Sequence, residues 1–120
     1  MSPEEIEALR RELHIQKTLR HENIVKLYNA FEEKGYLYIV LEYVEKGTLF
    51  DSIQARTLSE DDVVNIFFQV VSAIAYLHNR NILHRDIKPE NVLMKNKSYA
   101  KLCDFGFSAP YGTDIIRYSN

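Results

Sequence analysis

Residues 84–91, His-Arg-Asp-Ile-Lys-Pro-Glu-Asn, put four charged side chains and a proline into eight positions, directly behind the most apolar helix pattern in the chain. A run this polar cannot be core, and Pro89 rules out interior helix or central strand because proline lacks an N–H and fixes φ. The segment is therefore a loop held between apolar elements, and those elements set the fold. Upstream, Val63, Ile66, Phe67, Val70, Ile74 and Leu77 recur at helical spacing over residues 60–79. Ser59 caps this helix, and Glu60, Asp61 and Asp62 lie in its first turn, where carboxylates complement the dipole. Downstream, Lys101-Leu102-Cys103 reads as a short strand leading to Asp104-Phe105-Gly106.

The first third of the chain follows other patterns. Ser2, Pro3 and Glu5 make a capping box with proline at the first helical position. Ile6, Leu9, Leu13 and Gln16 then form one stripe of a helix over residues 3–19. Glu12 sits at the margin of that stripe, where a carboxylate is ordinarily just solvated. Ile24–Phe31 and Tyr36–Tyr43, rich in β-branched and aromatic residues, read as two strands joined by a turn at Glu32–Gly35. Val44–Gly47 breaks the pattern and reads as a hinge, and Thr48–Ser52 as a short helix.

Composition narrows the partners. A net charge of −2 gives no electrostatic reason to bind nucleic acid or an anionic membrane. The single cysteine, Cys103, excludes an internal disulfide framework and a thiolate-rich metal site. No apolar run approaches the ~18 residues of a membrane span, and the charged N-terminal stretch is unlike a signal peptide. Cytoplasm or nucleus is the expected compartment. His14, His21 and His78 share no metal-ligand spacing.

The polar loop suggests chemistry. Asp86, Lys88 and Asn91 bring a base, a cation and an amide oxygen together, and Asp104 adds a second carboxylate after a strand. Phosphoryl transfer needs little more than positioning, charge neutralisation and an oriented nucleophile. Taken singly, each of these residues could equally be capping a turn. Together, HRDIKPEN followed by DFG thirteen residues after the end of that string resembles the signature of the protein kinases. His21-Glu22-Asn23-Ile24-Val25 is similar to the family's loop before its fourth strand, and Leu41-Glu42-Tyr43-Val44 to its hinge. The stretch Arg10–Gln16 and Thr48 look closest to the Aurora branch.

The resemblance implies an α+β, protein-kinase-like bilobal fold truncated at both ends. Residues 1–43 would form part of the small lobe, 44–47 the hinge, and 48–120 part of the large lobe with the catalytic loop and the start of the activation segment. It further implies a serine/threonine kinase using ATP and Mg²⁺ on protein substrates. Asp86 would be the catalytic base and Lys88 would neutralise the transferring phosphoryl group; Asn91 and Asp104 would hold Mg²⁺. Glu12 would pair with an ATP-anchoring lysine. The backbones of Glu42 and Val44 would meet adenine, with Leu41 guarding the deeper pocket and Leu93 as its floor. Gln16, Leu27, His84 and Phe105 would stack as a spine. Arg85 would receive an activating phosphate, for which Ser119 is the candidate hydroxyl. The sequence departs from the family in showing no Gly-rich phosphate loop, no anchoring-lysine strand before the first helix and no Ala-Pro-Glu element. The 120 residues are accordingly expected to be an incomplete copy with little activity alone. Two other readings stay open: a pseudokinase-like interaction module, and a small-molecule phosphotransferase of related fold.

Overall fold

The computed structural model describes residues 2–82 and 87–103, and the backbone of residues 113–118. Ser2 begins the first helix as its pattern requires. Its hydroxyl accepts from the Glu5 N–H at 3.2 Å, and the Glu5 carboxylate accepts from the Ser2 N–H at 3.4 Å. This helix, α1 (Pro3–Thr18), buries Leu9 and Leu13. Strands β1 (Leu27–Glu33) and β2 (Tyr36–Glu42) pair antiparallel. Lys34 and Gly35 turn between them with φ of 52° and 82°, the left-handed pair that a two-residue hairpin of matching twist needs.

The chain forms two compact units. The first contains α1, the β1–β2 hairpin and a further strand, β5 (Thr113–Tyr118), which runs parallel to β2 and gives the sheet order β1-β2-β5. The family resemblance implies instead that residues 113–118 belong with the segment that follows the hinge. The second unit contains His21–Val25 and the chain from Val44 onward through α2 (Leu49–Gln54), α3 (Glu60–His78), a 3-10 turn at Pro89–Asn91, and the hairpin β3 (Val92–Asn96) and β4 (Tyr99–Leu102). Ile24 and Val25, expected to begin the first strand, belong instead to this second unit. The Val25 N–H donates to the Leu102 carbonyl at 3.0 Å, and the Leu102 N–H to the Asn23 carbonyl at 2.7 Å. Those bonds commit the segment to β4, so β1 starts only at Leu27.

Helix α3 is the scaffold of the second unit. The Ser59 hydroxyl accepts from the Asp62 N–H at 3.1 Å, and the Asp62 carboxylate accepts from the Ser59 N–H at 2.9 Å. The helix stops where Asn81 takes a φ of 61° and the Ile82 N–H reaches back to the Leu77 carbonyl at 3.0 Å. Asparagine tolerates that left-handed position better than most residues, and the bond reaching back five residues satisfies a terminal carbonyl. Ile66, Ala73 and Leu77 are buried. Val63 and Phe67, expected to share that face, are 51% and 62% exposed. The pattern marks α3 as apolar over more of its circumference than its packing on β4 covers. Among the described residues, no helix is long and apolar enough to cross a membrane.

Candidate active site

In the second unit, the residues that the sequence singles out sit on tightly bonded backbone. Lys88 is extended, with φ −156°, and precedes the 3-10 turn that Pro89 starts. Its carbonyl accepts from the Asn91 N–H at 2.9 Å, which closes the turn. The Asn91 carbonyl accepts from the Cys103 N–H at 2.8 Å. The amide-bearing residue of the catalytic pattern is thereby tied to the residue that precedes Asp104 in sequence. Lys88 is exposed, while Asn91 and Leu93 are half-buried. Leu93 pairs with Lys101 on β4 and bridges Thr48.

Val44 is buried, and the residues after it are pinned to β3. The Lys46 N–H donates to the Met94 carbonyl at 2.9 Å, and the Met94 N–H to the Gly47 carbonyl at 2.8 Å. Gly47 has a φ of 74°, and a Cβ there would lie 2.9 Å from the Asp51 carboxylate. That carboxylate accepts from the Thr48 N–H at 3.1 Å and so caps α2. A side chain at position 47 would displace the cap, which is why glycine stands at this turn.

In the first unit, Glu12 is exposed on α1 and has no ion-pair partner among the described residues. Leu41 is buried and pairs with Leu27. Glu42 closes β2: its N–H donates to the Lys26 carbonyl at 2.8 Å, and its carboxylate accepts from the Lys26 N–H at 3.1 Å. Helix α1 is tied to β1 by Arg10, whose Nε and Nη2 donate to the two Glu32 carboxylate oxygens at 2.9 and 3.0 Å. Those hydrogen bonds raise the Arg10 pKa and lower that of Glu32. A cavity of about 390 Å³ beside this pair is lined by Leu13, His14, Lys17 and Phe31 among others, and by none of the predicted site residues. Asp86, Arg85, Asp104 and Ser119, with His84 and Phe105 of the expected spine, lie outside the described residues.

The family model described as the protein kinase domain matches residues 1–116. The chain belongs to the protein kinase family. It is 42% identical over 101 residues to an Aurora kinase of Schizosaccharomyces pombe, an alignment covering 83% of this chain and 28% of the relative. It is 41% identical over 105 residues to CBL-interacting protein kinase 9 of Oryza sativa subsp. japonica, covering 87% and 23%. Its structure is similar to that of Rad53 residues 1–466, solved with AMP-PNP, at a TM-score of 0.78 and 35% identity, covering 88% of this chain and 29% of that one. The described elements are thus a partial kinase fold of mixed helix and strand. The chain spans between 23% and 29% of the length of these relatives.

The segment His21–Val25, which resembles a family loop, carries a buried amide whose partners lie far along the chain. Asn23, 6% exposed, donates through Nδ2 to Gln69 Oε1 and to the Ala100 carbonyl, each at 2.9 Å. Gln69 Oε1 also accepts from the Ala100 N–H at 2.8 Å, and Gln69 Nε2 donates to the Ser98 carbonyl at 2.7 Å. The network locks α3 to β4, the strand that leads to Asp104. Its trace in the sequence is Asn23 within the motif His21–Val25, while its partners Gln69 and Ala100 carry none. His21 is structural in the same way: its Nε2 lies 3.1 Å from the Ser72 hydroxyl, and its ring packs 5.1 Å from that of Tyr76.

Proposed function

We propose that this segment serves a serine/threonine protein kinase, which moves the γ-phosphoryl group of ATP to a protein hydroxyl with Mg²⁺. What chiefly supports the reading is the 2.8 Å bond from the Cys103 N–H to the Asn91 carbonyl. It joins, within one stretch of bonded backbone, an amide side chain and the residue before a carboxylate. An amide oxygen and a carboxylate suit Mg²⁺, a hard ion that keeps several waters and shares its remaining positions with phosphates. Asn91 and Asp104 would hold the ion, which when bound supplies neutralisation of phosphate charge.

The other roles belong to the chain itself. Asp86 takes the proton of the acceptor hydroxyl as its oxygen bonds to the γ-phosphorus and the bond to the ADP bridging oxygen breaks. Lys88, exposed beside the 3-10 turn, places its charge against the transferring group. By the family resemblance, Leu41, Glu42, Val44 and Leu93 are assigned to contact the nucleotide. Glu12 supplies the carboxylate for a phosphate-anchoring lysine, and Arg85 receives a phosphate carried on Ser119.

A chimera tests this. Residues 1–116 replace the matching segment of the Schizosaccharomyces pombe Aurora kinase, and peptide phosphorylation and Mg·ATP affinity are measured. The expected turnover is within the ordinary ~1–100 s⁻¹ of kinases. Asp86→Asn abolishes it with nucleotide affinity retained, whereas Asp104→Asn weakens Mg·ATP binding. Undiminished turnover in Asp86→Asn, or equal loss of affinity in both variants, refutes the assignment.

A further inference from the structure

Lys26 carries none of the roles above, yet it touches both ends of the first unit's functional stretch. Its Nζ donates to the Lys17 carbonyl at 2.9 Å and to the Leu19 carbonyl at 3.2 Å. These are carbonyls at the end of α1, where a helix has exhausted its own N–H donors and the dipole is negative. The backbone of Lys26 meanwhile holds the end of β2. Its N–H donates to the Glu42 carboxylate at 3.1 Å, and its carbonyl accepts from the Glu42 N–H at 2.8 Å. One residue thus joins the helix that carries Glu12 to the strand end that carries Glu42.

Two further side-chain ties between α1 and the sheet, Arg10 to Glu32 and Lys17 to Asn29, are exposed. The Lys26 bond to Leu19 is partly buried. Burial lowers the Lys26 ammonium pKa, and the neighbouring charges of Arg20 and Lys17 lower it further. The two carbonyl acceptors offset that desolvation and the repulsion of the two like charges.

We propose that Lys26 is a positioning residue that couples the C-terminal end of α1 to the end of β2, so that Glu12 and Glu42 are set in one framework. The inference rests on the kinase reading of Glu12 and Glu42, but its first test does not use activity. Amide hydrogen exchange is measured on the 120-residue chain with Lys26→Met, which keeps the aliphatic length and removes the donor, and with Lys26→Arg, which keeps a cation. Lys26→Met is expected to speed exchange about tenfold, the scale of one charge-assisted hydrogen bond, at the Leu19 amide and also at the Glu42 amide. Lys26→Arg restores protection at both, and the α3 amides do not change.

Acceleration confined to Leu19 would reduce Lys26 to a helix cap and overturn the coupling, as would no change at either amide. Should Lys26→Met unfold, Glu42→Leu, which keeps a similar size and removes the acceptor oxygen, replaces it, with faster exchange expected at the distant Leu19 amide; unchanged protection there overturns the proposal. The same Lys26 variants in the chimera separate the two readings. Coupled exchange with a several-fold loss of Mg·ATP affinity supports both. Coupled exchange with unaltered affinity leaves the link standing and removes its bearing on the kinase site.

Discussion

Replacing Asn23 by alanine tests whether the buried amide network holds α3 to β4. The substitution removes two donors, at 2.9 Å to Gln69 Oε1 and at 2.9 Å to the Ala100 carbonyl. Gln69 Oε1 keeps the Ala100 N–H at 2.8 Å, so its loss is one ordinary bond of about 1 kcal/mol. The Ala100 carbonyl belongs to a residue only 1% exposed, and a buried acceptor deprived of its donor costs about 1–3 kcal/mol. The sum is about 2–4 kcal/mol, a large share of the ~5–15 kcal/mol that usually holds a domain folded. With a urea slope of ~2 kcal/mol/M, the middle of the usual range, the unfolding midpoint followed by far-UV circular dichroism should fall by roughly 1–2 M. Gln69→Ala shares one of the bonds, so the double variant should lose less than the two single losses added together, by about 0.5–3 kcal/mol. A midpoint unchanged in Asn23→Ala, or strict additivity with Gln69→Ala, refutes the network as a unit.

Two further outcomes follow from α3. The Asp62 carboxyl titrates below its ordinary value because the Ser59 backbone and hydroxyl donate to its charged form, a contribution complete above the unfolded pKa of ~3.9 and lost as pH falls through the lower folded value; urea midpoints of Asp62→Ala and the parent should therefore differ at neutral pH and converge in acid, and a gap that persists there contradicts the cap's charge dependence. Phe67 and Phe68 are 62% and 65% exposed, so replacing both by serine should leave the unfolding midpoint within about 0.5 kcal/mol while reducing self-association in sedimentation velocity; a large stability loss would show that these rings are packed.

The elements legible in the sequence were those whose stabilising interactions are local. The capping boxes at Ser2 and Ser59 close within three residues, and the left-handed turn at Lys34–Gly35 lies between two visible strand patterns. These features need no knowledge of distant chain, and helix and strand bounds came within a few residues of the pattern. What the pattern missed depends on distant partners. Ile24 and Val25 have the composition of a strand that continues into Leu27, yet Leu102, far along the chain, takes their backbone bonds. The breadth of apolar surface on α3 states that the helix can be covered on several sides, but not which side β4 covers.

The candidate site divides along the same line. Its chemistry was legible because Asp86, Lys88, Asn91 and Asp104 are near in sequence and belong to a family signature. Its support was not, because the Asn91–Cys103 bond and the Asn23–Gln69–Ala100 network each join residues that only the fold brings together. Lys26 is the sharpest instance. In sequence it is a lone cation between Val25 and Leu27, and a lone cation in a strand pattern reads as a solvated edge residue. Its two roles emerge only once α1 ends at Thr18 and β2 ends at Glu42, so that the side chain meets one terminus while the backbone meets the other. A side chain that reports on a helix end and a backbone that reports on a strand end cannot be seen in any window of residues, because the two signals belong to different periods. Positioning residues of this kind are recovered from hydrogen-bond partners, not from residue type, whereas the groups that touch phosphate are recovered from residue type first.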